Sequence, residues 1–210
     1  MKYKFPRRIF ITGTGTDIGK TFVSAILMSG LRGKYWKPVQ SGIIETIDAE
    51  WIREKTGLPE SHFFPETYRL TQPLSPHAAA ALDGVEIKLD AFQLPEINKT
   101  ETLIVEGAGG IMVPLNDEHF MLDLMKKLNL PVLLVAYSEL GTINHTLLSL
   151  EQMRRYNLDI LGVVMNGPKN PGNREAIERF GKISVIAEIE PIPEINLQTL
   201  ENCFNRCFTK

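Results

Sequence analysis

The sequence predicts a single-domain α/β fold in which a mostly parallel sheet carries helices on both faces. Two observations predict it. A length of 210 residues suits one domain with a sizeable core, and short apolar, β-branched runs alternate with longer amphipathic segments. Alternation of this kind implies right-handed crossovers between parallel strands. We therefore expect residues 1–210 to form one domain.

Short apolar runs predict the strands, and the longest run, Pro131 to Ala136, suits a buried strand. The predicted strands cover residues 8–12, 35–39, 102–105, 132–136, 160–165 and 185–189. Apolar residues at helical spacing predict helices over residues 20–31, 48–55, 77–82, 120–128, 144–156, 174–180 and 197–208. The proline-rich stretch Gly57 to Pro76 is predicted to be a long loop that forms part of a site. Ligands should bind at the carboxyl ends of the strands.

Charge and composition exclude several classes of function. The net charge is −2, which provides no global basic field for a nucleic acid. The basic start, residues 1–8, precedes an apolar run too short for an export signal, and no run reaches the ~20 residues that span a bilayer. We expect a cytoplasmic protein without a membrane partner. Cys203 and Cys207 lie in a predicted helix and are expected to be reduced core thiols rather than a disulfide or a metal pair.

The strongest motif lies directly between the first predicted strand and the first predicted helix. It reads Gly13-Thr14-Gly15-Thr16-Asp17-Ile18-Gly19-Lys20-Thr21. Such a loop wraps backbone N–H groups around a triphosphate at a helix N-terminus. Lys20 would reach the β- and γ-phosphates, and the Thr21 hydroxyl would ligate Mg²⁺. Gly13 stands one residue earlier than in the usual spacing, but the context favours a P-loop NTPase-like fold over a turn with an incidental lysine.

Two carboxylates are candidate magnesium ligands. Glu106 ends an apolar run and precedes the glycine-rich stretch Gly107-Ala108-Gly109-Gly110, so a buried strand would deliver it to the ligand edge. A solvated glutamate or a helix cap is the alternative. Asp48 is the weaker candidate, because it begins a predicted helix and an N-cap explains it equally well.

Lys37 is the most informative single charge. It closes the second predicted strand just before Pro38, where an ammonium can neutralise charge that grows during phosphoryl transfer. A surface lysine at a strand end is the alternative. Ser41 and Gly42 follow with a small hydroxyl and an open backbone for a polar substrate. The four histidines lack zinc spacing, and no serine hydrolase elbow is present, so histidine catalysis has no support.

Taken in order, these motifs resemble the dethiobiotin synthetase family from Ile11 to about Asn166. The resemblance is carried by the glycine loop together with Lys37-Pro38-Val39-Gln40-Ser41-Gly42, Ser75-Pro76-His77, Glu106-Gly107-Ala108-Gly109-Gly110 and Leu140-Gly141-Thr142-Ile143-Asn144-His145. The resemblance implies a homodimer that converts 7,8-diaminopelargonate, CO₂ and MgATP to dethiobiotin, ADP and phosphate. The implied intermediates are a carbamate and a carbamic-phosphoric anhydride.

The resemblance also implies a role for each matching residue. The implied catalytic residues are Lys37, Lys20 and Thr16. The implied magnesium ligands are Thr21, Asp48 and Glu106. The implied contacts of ATP are Gly15, Thr16, Asp17, Ile18, Gly19, Lys20, Thr21, Asp48, Glu106, Gly107, Ala108, Gly109 and, at the base, Asn166. The implied substrate contacts are Thr16, Ser41, Ser75, Gly109, Gly141 and Asn144, of which the last two would bind the substrate carboxylate across the dimer interface.

The chain departs from the family at two places. Many relatives have Asp where this chain has Gly15. The family also often runs directly from Glu-Ile to Pro, whereas this chain has Glu188-Ile189-Glu190-Pro191. In the family, this second segment helps to define the base pocket. One alternative is a partition or septum-positioning switch ATPase. Those proteins carry a second lysine in the phosphate loop, whereas this chain has Thr14 at that position, and they often end in a basic helix. Another ATP-dependent synthetase with a different substrate is the second alternative.

Overall fold

The computed structural model describes residues 3–44 and 47–209, and its regular elements alternate as the sequence predicts. The strands are β1 Arg8–Gly13, β2 Lys34–Trp36, β3 Val39–Ser41, β4 Phe63–Phe64, β5 Tyr68–Leu70, β6 Leu103–Glu106, β7 Val132–Tyr137, β8 Ile160–Asn166 and β9 Val185–Ile189. The helices are α1 Lys20–Leu31, α2 Asp48–Thr56, α3 Pro76–Asp83, α4 Met121–Leu128, α5 Thr142–Arg155, α6 Pro171–Gly181 and α7 Leu197–Phe208. Single 3₁₀ turns cover Glu60–His62 and Leu89–Ala91.

Seven strands form a parallel sheet in the order β4-β2-β6-β1-β7-β8-β9. Alternate side chains of a strand point to opposite faces, so Phe10 of β1 packs in one core while Ile9 and Ile11 pack in the other. The first core draws on α3, α4, α5 and α6, and the second draws on α1, α2 and α7. The sheet is therefore covered by helices on both faces, and the predicted α/β architecture is confirmed.

The predicted bounds of the second strand, residues 35–39, are wrong. β2 ends at Trp36, and the chain leaves the main sheet at Lys37 and Pro38. Proline has no backbone N–H for a sheet ladder. The chain then forms β3, which pairs in parallel with β5 in a separate two-stranded sheet. Lys37 therefore lies just beyond the carboxyl end of β2, and the segment that follows it belongs to the small sheet.

The predicted long loop, residues 57–76, contains more regular structure than expected. β4 is the edge strand of the large sheet, and β5 is half of the small sheet. Its last residues remain irregular and lead into α3, whose first turn holds Pro76. The C-terminal thiols lie in α7 as expected, and their Sγ atoms are 4.0 Å apart, too far for a disulfide.

The sheet register determines which side chains meet at the carboxyl edge. β1 lies between β6 and β7, and Ile11 of β1 pairs with Glu106 at the end of β6. The glycine loop that follows β1 therefore starts beside Glu106. Within the described residues, no helix is both long and apolar enough to cross a bilayer.

Candidate functional site

The glycine loop joins β1 to α1 in a conformation that depends on glycine. Gly19 has a φ of 91°, in the left-handed region, and a Cβ built on it would lie 2.1 Å from Asn166 Nδ2. Among the described residues, no side chain caps the N-terminus of α1, so its first N–H groups are available to an anion. Lys20 Nζ donates a hydrogen bond to the carbonyl oxygen of Gly15 at 2.8 Å. The loop thus has the backbone of a phosphate-binding turn.

Asn166 supports this loop from the neighbouring part of the sheet. It ends β8, and its Nδ2 donates to the carbonyl oxygen of Ile18 at 3.0 Å. Gly15, in contrast, has no atom of the described residues within 4 Å of the position that a Cβ would take. A side chain at position 15 would therefore meet no obstacle in this structure.

A cavity of about 770 Å³ opens beside the loop. Thirteen of the residues predicted for the site line it: Thr16, Asp17, Gly19, Lys20, Thr21, Lys37, Ser41, Gly42, Asp48, Ser75, Glu106, Ala108 and Gly109. The other predicted residues are not among its lining residues: Gly15, Ile18, Gly107, Gly141, Asn144 and Asn166. The proline-rich segment contributes too, since Pro73, Leu74 and Pro76 form part of the wall. Residues from five parts of the chain, separated by up to about ninety positions, thus meet around one space.

A buried cluster of charges lies at the floor of this cavity. Glu106 is fully buried, and its Oε1 accepts hydrogen bonds from Thr21 Oγ1 at 2.9 Å and from Lys37 Nζ at 3.1 Å. Lys37 Nζ also pairs with Asp48 Oδ2. Asp48 is the first residue of α2, and Ile47 occupies the N-cap position without a side-chain bond. The N-cap interpretation of Asp48 is therefore wrong, as is the interpretation of Lys37 as a surface lysine.

Two serines occupy a different part of the wall. Ser41 Oγ is buried and has no hydrogen-bond partner among the described residues. Ser75 Oγ lies 3.0 Å from His77 Nδ1 at the start of α3. A buried hydroxyl without a partner costs free energy unless a ligand or water satisfies it. The Ser41 side chain is accordingly suited to a polar ligand in the cavity.

Gly141 and Asn144 lie elsewhere, at the start of α5. Gly141 occupies the N-cap position with a φ of 95°, and no side chain caps this helix. Both residues are exposed, and the adjacent Leu140 is fully exposed. Neither residue is among the described residues that line the cavity.

Comparison with known proteins identifies the family. The profile of a family described as an AAA domain matches residues 7–199. The ATP-dependent dethiobiotin synthetase BioD of Paramagnetospirillum magneticum is 49% identical over 194 residues, which cover 92% of this chain and 93% of that protein. The chain belongs to the dethiobiotin synthetase family. The protein of the same name from Rhodopseudomonas palustris is 41% identical over 203 residues, 97% of this chain and 96% of that one.

Membership of the dethiobiotin synthetase family confirms the resemblance drawn from the motifs. Among solved structures, a ParA family ATPase from Chlorobium tepidum TLS superposes with a TM-score of 0.55, covering 97% of this chain and 91% of that one. Its sequence identity is 9%, so the likeness shows the fold alone. The predicted P-loop NTPase-like fold is confirmed, and the switch ATPase alternative gains no functional support from it.

The electrostatics of this dethiobiotin synthetase site keep Lys37 charged. Burial by itself lowers the pKa of Lys37, but Glu106 and Asp48 outweigh burial and hold that pKa above its ordinary value. Burial raises the pKa of Glu106, yet Lys37 and the hydrogen bonds from Ser24 and Thr21 bring the net pKa below the ordinary value. Burial, together with the nearby charge of Glu106, holds the pKa of Asp48 above its ordinary value despite the opposing effect of Lys37. Lys37 and Glu106 are thus an ion pair at neutral pH.

Lys20 has the opposite shift. Burial lowers its pKa to about 8, and the opposing attraction of Glu106 does not compensate. Its ammonium donates to a backbone carbonyl rather than to a carboxylate. An anionic ligand beside Lys20 would therefore favour its charged form.

The residues present fit a magnesium ion. Thr21 supplies a hydroxyl, and Glu106 and Asp48 supply carboxylates on the same cavity. Mg²⁺ prefers oxygen ligands and is usually bound by one or two carboxylates together with substrate phosphates. This donor set, next to a phosphate-binding loop, has the chemistry of a magnesium-nucleotide site.

Three residues that hold the carboxylates of the site in place were not predicted from the sequence. Ser24 and Tyr35 both donate hydrogen bonds to Glu106 Oε2. Gln40 Oε1 accepts from the backbone N–H of Asp48 at 3.2 Å, while its Nε2 donates to the carbonyl oxygen of Ser41. Helical spacing from Thr21 could have indicated Ser24. The other two depend on chain geometry that no local pattern reveals.

Proposed function

We propose that this chain converts 7,8-diaminopelargonate, CO₂ and MgATP to dethiobiotin, ADP and phosphate. The observation that carries the proposal is the meeting of Lys20, Lys37 and Glu106 around one cavity, in a chain that belongs to the dethiobiotin synthetase family. A cavity of this size can hold a triphosphate end and a small diamine together.

The glycine loop would hold the phosphates. Backbone N–H groups of Gly15, Thr16, Asp17, Ile18 and Gly19 would surround the phosphate oxygens, with the partial positive charge of α1 behind them. The contacts proposed for the rest of the nucleotide are Gly107, Ala108, Gly109 and, at the base, Asn166. The loop contact of Asn166 supports this, because it holds the amide beside the turn.

Lys20 and Lys37 would supply the charge for the reaction. One substrate amine adds to CO₂ and loses a proton to give a carbamate. A carbamate oxygen then attacks the γ-phosphorus, and ADP leaves. The second amine attacks the carbon of this anhydride, phosphate leaves and the ureido ring closes with loss of a proton. Both ammonium groups would face the anionic atoms of these steps, where fixed charge is worth several kcal/mol of barrier.

Thr16, Ser41, Ser75 and Gly109 would position the substrate. The unpartnered Ser41 hydroxyl supports this assignment most directly. A carbamate oxygen is already an anionic nucleophile, so its attack requires orientation more than a general base.

Thr21, Asp48 and Glu106 are the residues that would hold Mg²⁺. When bound, the ion neutralises phosphate charge and fixes the geometry of the triphosphate. Gln40 would keep the carboxylate of Asp48 in place by anchoring the start of α2. The three donors come from different elements, so the site forms only in the folded chain.

In a homodimer, the N-terminal end of α5 in one subunit would complete the substrate site of the other subunit. Gly141 and Asn144 would then bind the substrate carboxylate, for which the uncapped N-terminus of α5 provides N–H groups. We assign the enzyme to the cytoplasm, with small-molecule substrates and its own second copy as partners and neither nucleic acid nor membrane.

Replacement of Asn144 tests the shared site. We expect Asn144→Ala to raise the KM for diaminopelargonate by about tenfold, the typical worth of one hydrogen bond to a charged group, while kcat changes less. Asn205→Ala, at an exposed position of α7, is the matched control and should leave KM unchanged. An unchanged KM in Asn144→Ala, with a monomer in sedimentation, would contradict the shared site.

Phosphate release tests the reaction itself. ATP, diaminopelargonate and bicarbonate together should give phosphate and dethiobiotin in equal amounts, and omission of any one component should abolish both. A synthetase with another substrate would release no phosphate with this diamine. Phosphate release independent of diamine would instead indicate a simple ATPase and would overturn the proposed function.

A further inference from the structure

Glu106 is held by two residues that do not belong to the cavity wall. Ser24 Oγ donates to Glu106 Oε2 at 2.6 Å, and Tyr35 OH donates to the same oxygen at 3.0 Å. All three side chains are fully buried. Neither Ser24 nor Tyr35 is among the described residues that line the cavity. These two hydroxyls therefore act on the cavity only through Glu106.

The fold places both hydroxyls on one side of the carboxylate. Tyr35 of β2 pairs with Ile104 of β6, two residues before Glu106, so Ile104 and Glu106 point to the same face of the sheet. On that face lies α1, where Ser24 follows Thr21 by three positions and shares its side of the helix. Strand register and helical spacing thus converge on a single carboxylate.

The two carboxylate oxygens consequently have different surroundings. Oε2 accepts hydrogen bonds from two neutral hydroxyls, which occupy the two acceptor positions of that oxygen. Oε1 instead meets Thr21 and Lys37, both of which line the cavity. The carboxylate is therefore held by hydrogen bonds on both oxygens, those on Oε2 coming from the protein interior and those on Oε1 from residues that line the cavity.

We propose that Ser24 and Tyr35 are positioning residues that fix Glu106 so that Oε1 alone is presented to Mg²⁺. The inference rests on the proposed function, in which Glu106 is a magnesium ligand. Mg²⁺ demands near-octahedral geometry, which a single well-placed oxygen satisfies better than a freely rotating carboxylate. Hydrogen-bond partners behind a metal ligand commonly change metal affinity by 10–100-fold.

The test uses Mn²⁺ as the probe. Binding of Mn²⁺ to the protein is measured by electron paramagnetic resonance in the presence of saturating ADP. We expect Ser24→Ala and Tyr35→Phe each to weaken Mn²⁺ binding by about tenfold. Affinity for ADP without metal should stay within about twofold, because neither hydroxyl faces the phosphate loop. A merely structural role would lower thermal stability without this selective loss of metal affinity.

Two matched variants control for the loss of a buried or partly buried hydroxyl. Ser29→Ala removes a buried hydroxyl of the same helix, which donates to the carbonyl oxygen of Ala25. Tyr68→Phe removes a phenol oxygen that accepts from the backbone N–H of Lys88. Neither contacts Glu106, so both should bind Mn²⁺ as the unmodified protein does. If Tyr35→Phe does not fold, Ser24→Ala decides the question alone.

Glu106→Gln separates this inference from the proposed function. If Glu106→Gln weakens Mn²⁺ binding while Ser24→Ala and Tyr35→Phe do not, the inference is overturned and the magnesium role of Glu106 remains. Equal losses of Mn²⁺ and ADP affinity in the two hydroxyl variants would also overturn it. If Glu106→Gln leaves Mn²⁺ binding unchanged, the proposed metal site fails and the inference fails with it.

Discussion

Replacing Lys37 with alanine should lower kcat by at least ~100-fold, the cost typical of removing one charge that stabilises a transition state. The ammonium lies on the cavity between Glu106 and Asp48, and its raised pKa keeps it charged throughout the neutral range. The variant loses this charge where the phosphoryl group and the carbamate would meet. Steady-state phosphate release with saturating substrates measures the effect.

The Lys37→Ala protein should still fold. Loss of the ammonium leaves two carboxylates close together, but burial already raises the pKa of Asp48, so this group can take up a proton in place of the lost cation. Thermal unfolding should therefore remain cooperative, with a lower midpoint that recovers part of the difference as the pH is lowered and Asp48 takes up its proton.

Lys34 provides the matched control for Lys37. It is the first residue of β2, the strand that Lys37 directly follows, but its Nζ donates to the carbonyl oxygen of Ser61 and lies 3.4 Å from Glu101, away from the cavity. Lys34→Ala should keep kcat within about threefold. If Lys37→Ala matches that control in turnover, Lys37 has no part in the chemistry.

The large sheet and its ligand edge could be predicted because their signals are local. β1, β7 and β9 are apolar runs, and the glycine loop marks the turn from β1 into α1. A parallel sheet brings consecutive strand ends to one edge, so placing Glu106 near Lys20 required no long-range information beyond the fold class.

The small sheet could not be predicted, because its strands leave no clear local signal in the sequence. β3 and β5 have three residues each, which is too short for an alternating pattern to be recognised, and their pairing joins segments separated by an unpatterned stretch. Pro38 lies inside the predicted second strand and was the available indication that this strand ends early.

The hydrogen-bond partners of Glu106 could not be predicted from the sequence, because they depend on how the strands pair. The bond from Tyr35 spans 71 positions and exists only because β2 and β6 are adjacent in a particular register. A one-residue shift would turn the Tyr35 side chain to the other face of the sheet. The pairing of Lys37 with Asp48 depends likewise on the turn after β2, whose path follows from the small sheet.

Lys20 should couple nucleotide binding to proton uptake. Because burial lowers its pKa to about 8, about half of the free protein carries a neutral Lys20 at that pH. Bound phosphates favour the ammonium and raise this pKa, so binding takes up protons, and affinity for MgADP falls as the pH rises above about 8. Calorimetry in buffers of different ionisation enthalpy should give an uptake of roughly half a proton near pH 8 and almost none near pH 6.5.

Lys20→Arg is the control that isolates this residue from every other group that titrates near pH 8. A guanidinium keeps its charge throughout this range, so the variant should bind MgADP without the proton uptake, whatever its affinity. Lys20→Ala removes the charge altogether and should lower kcat by at least ~100-fold at every pH. Proton uptake that persists unchanged in Lys20→Arg would assign the titration to another group, and pH-independent affinity in the unmodified protein would show that Lys20 is already charged before the nucleotide binds.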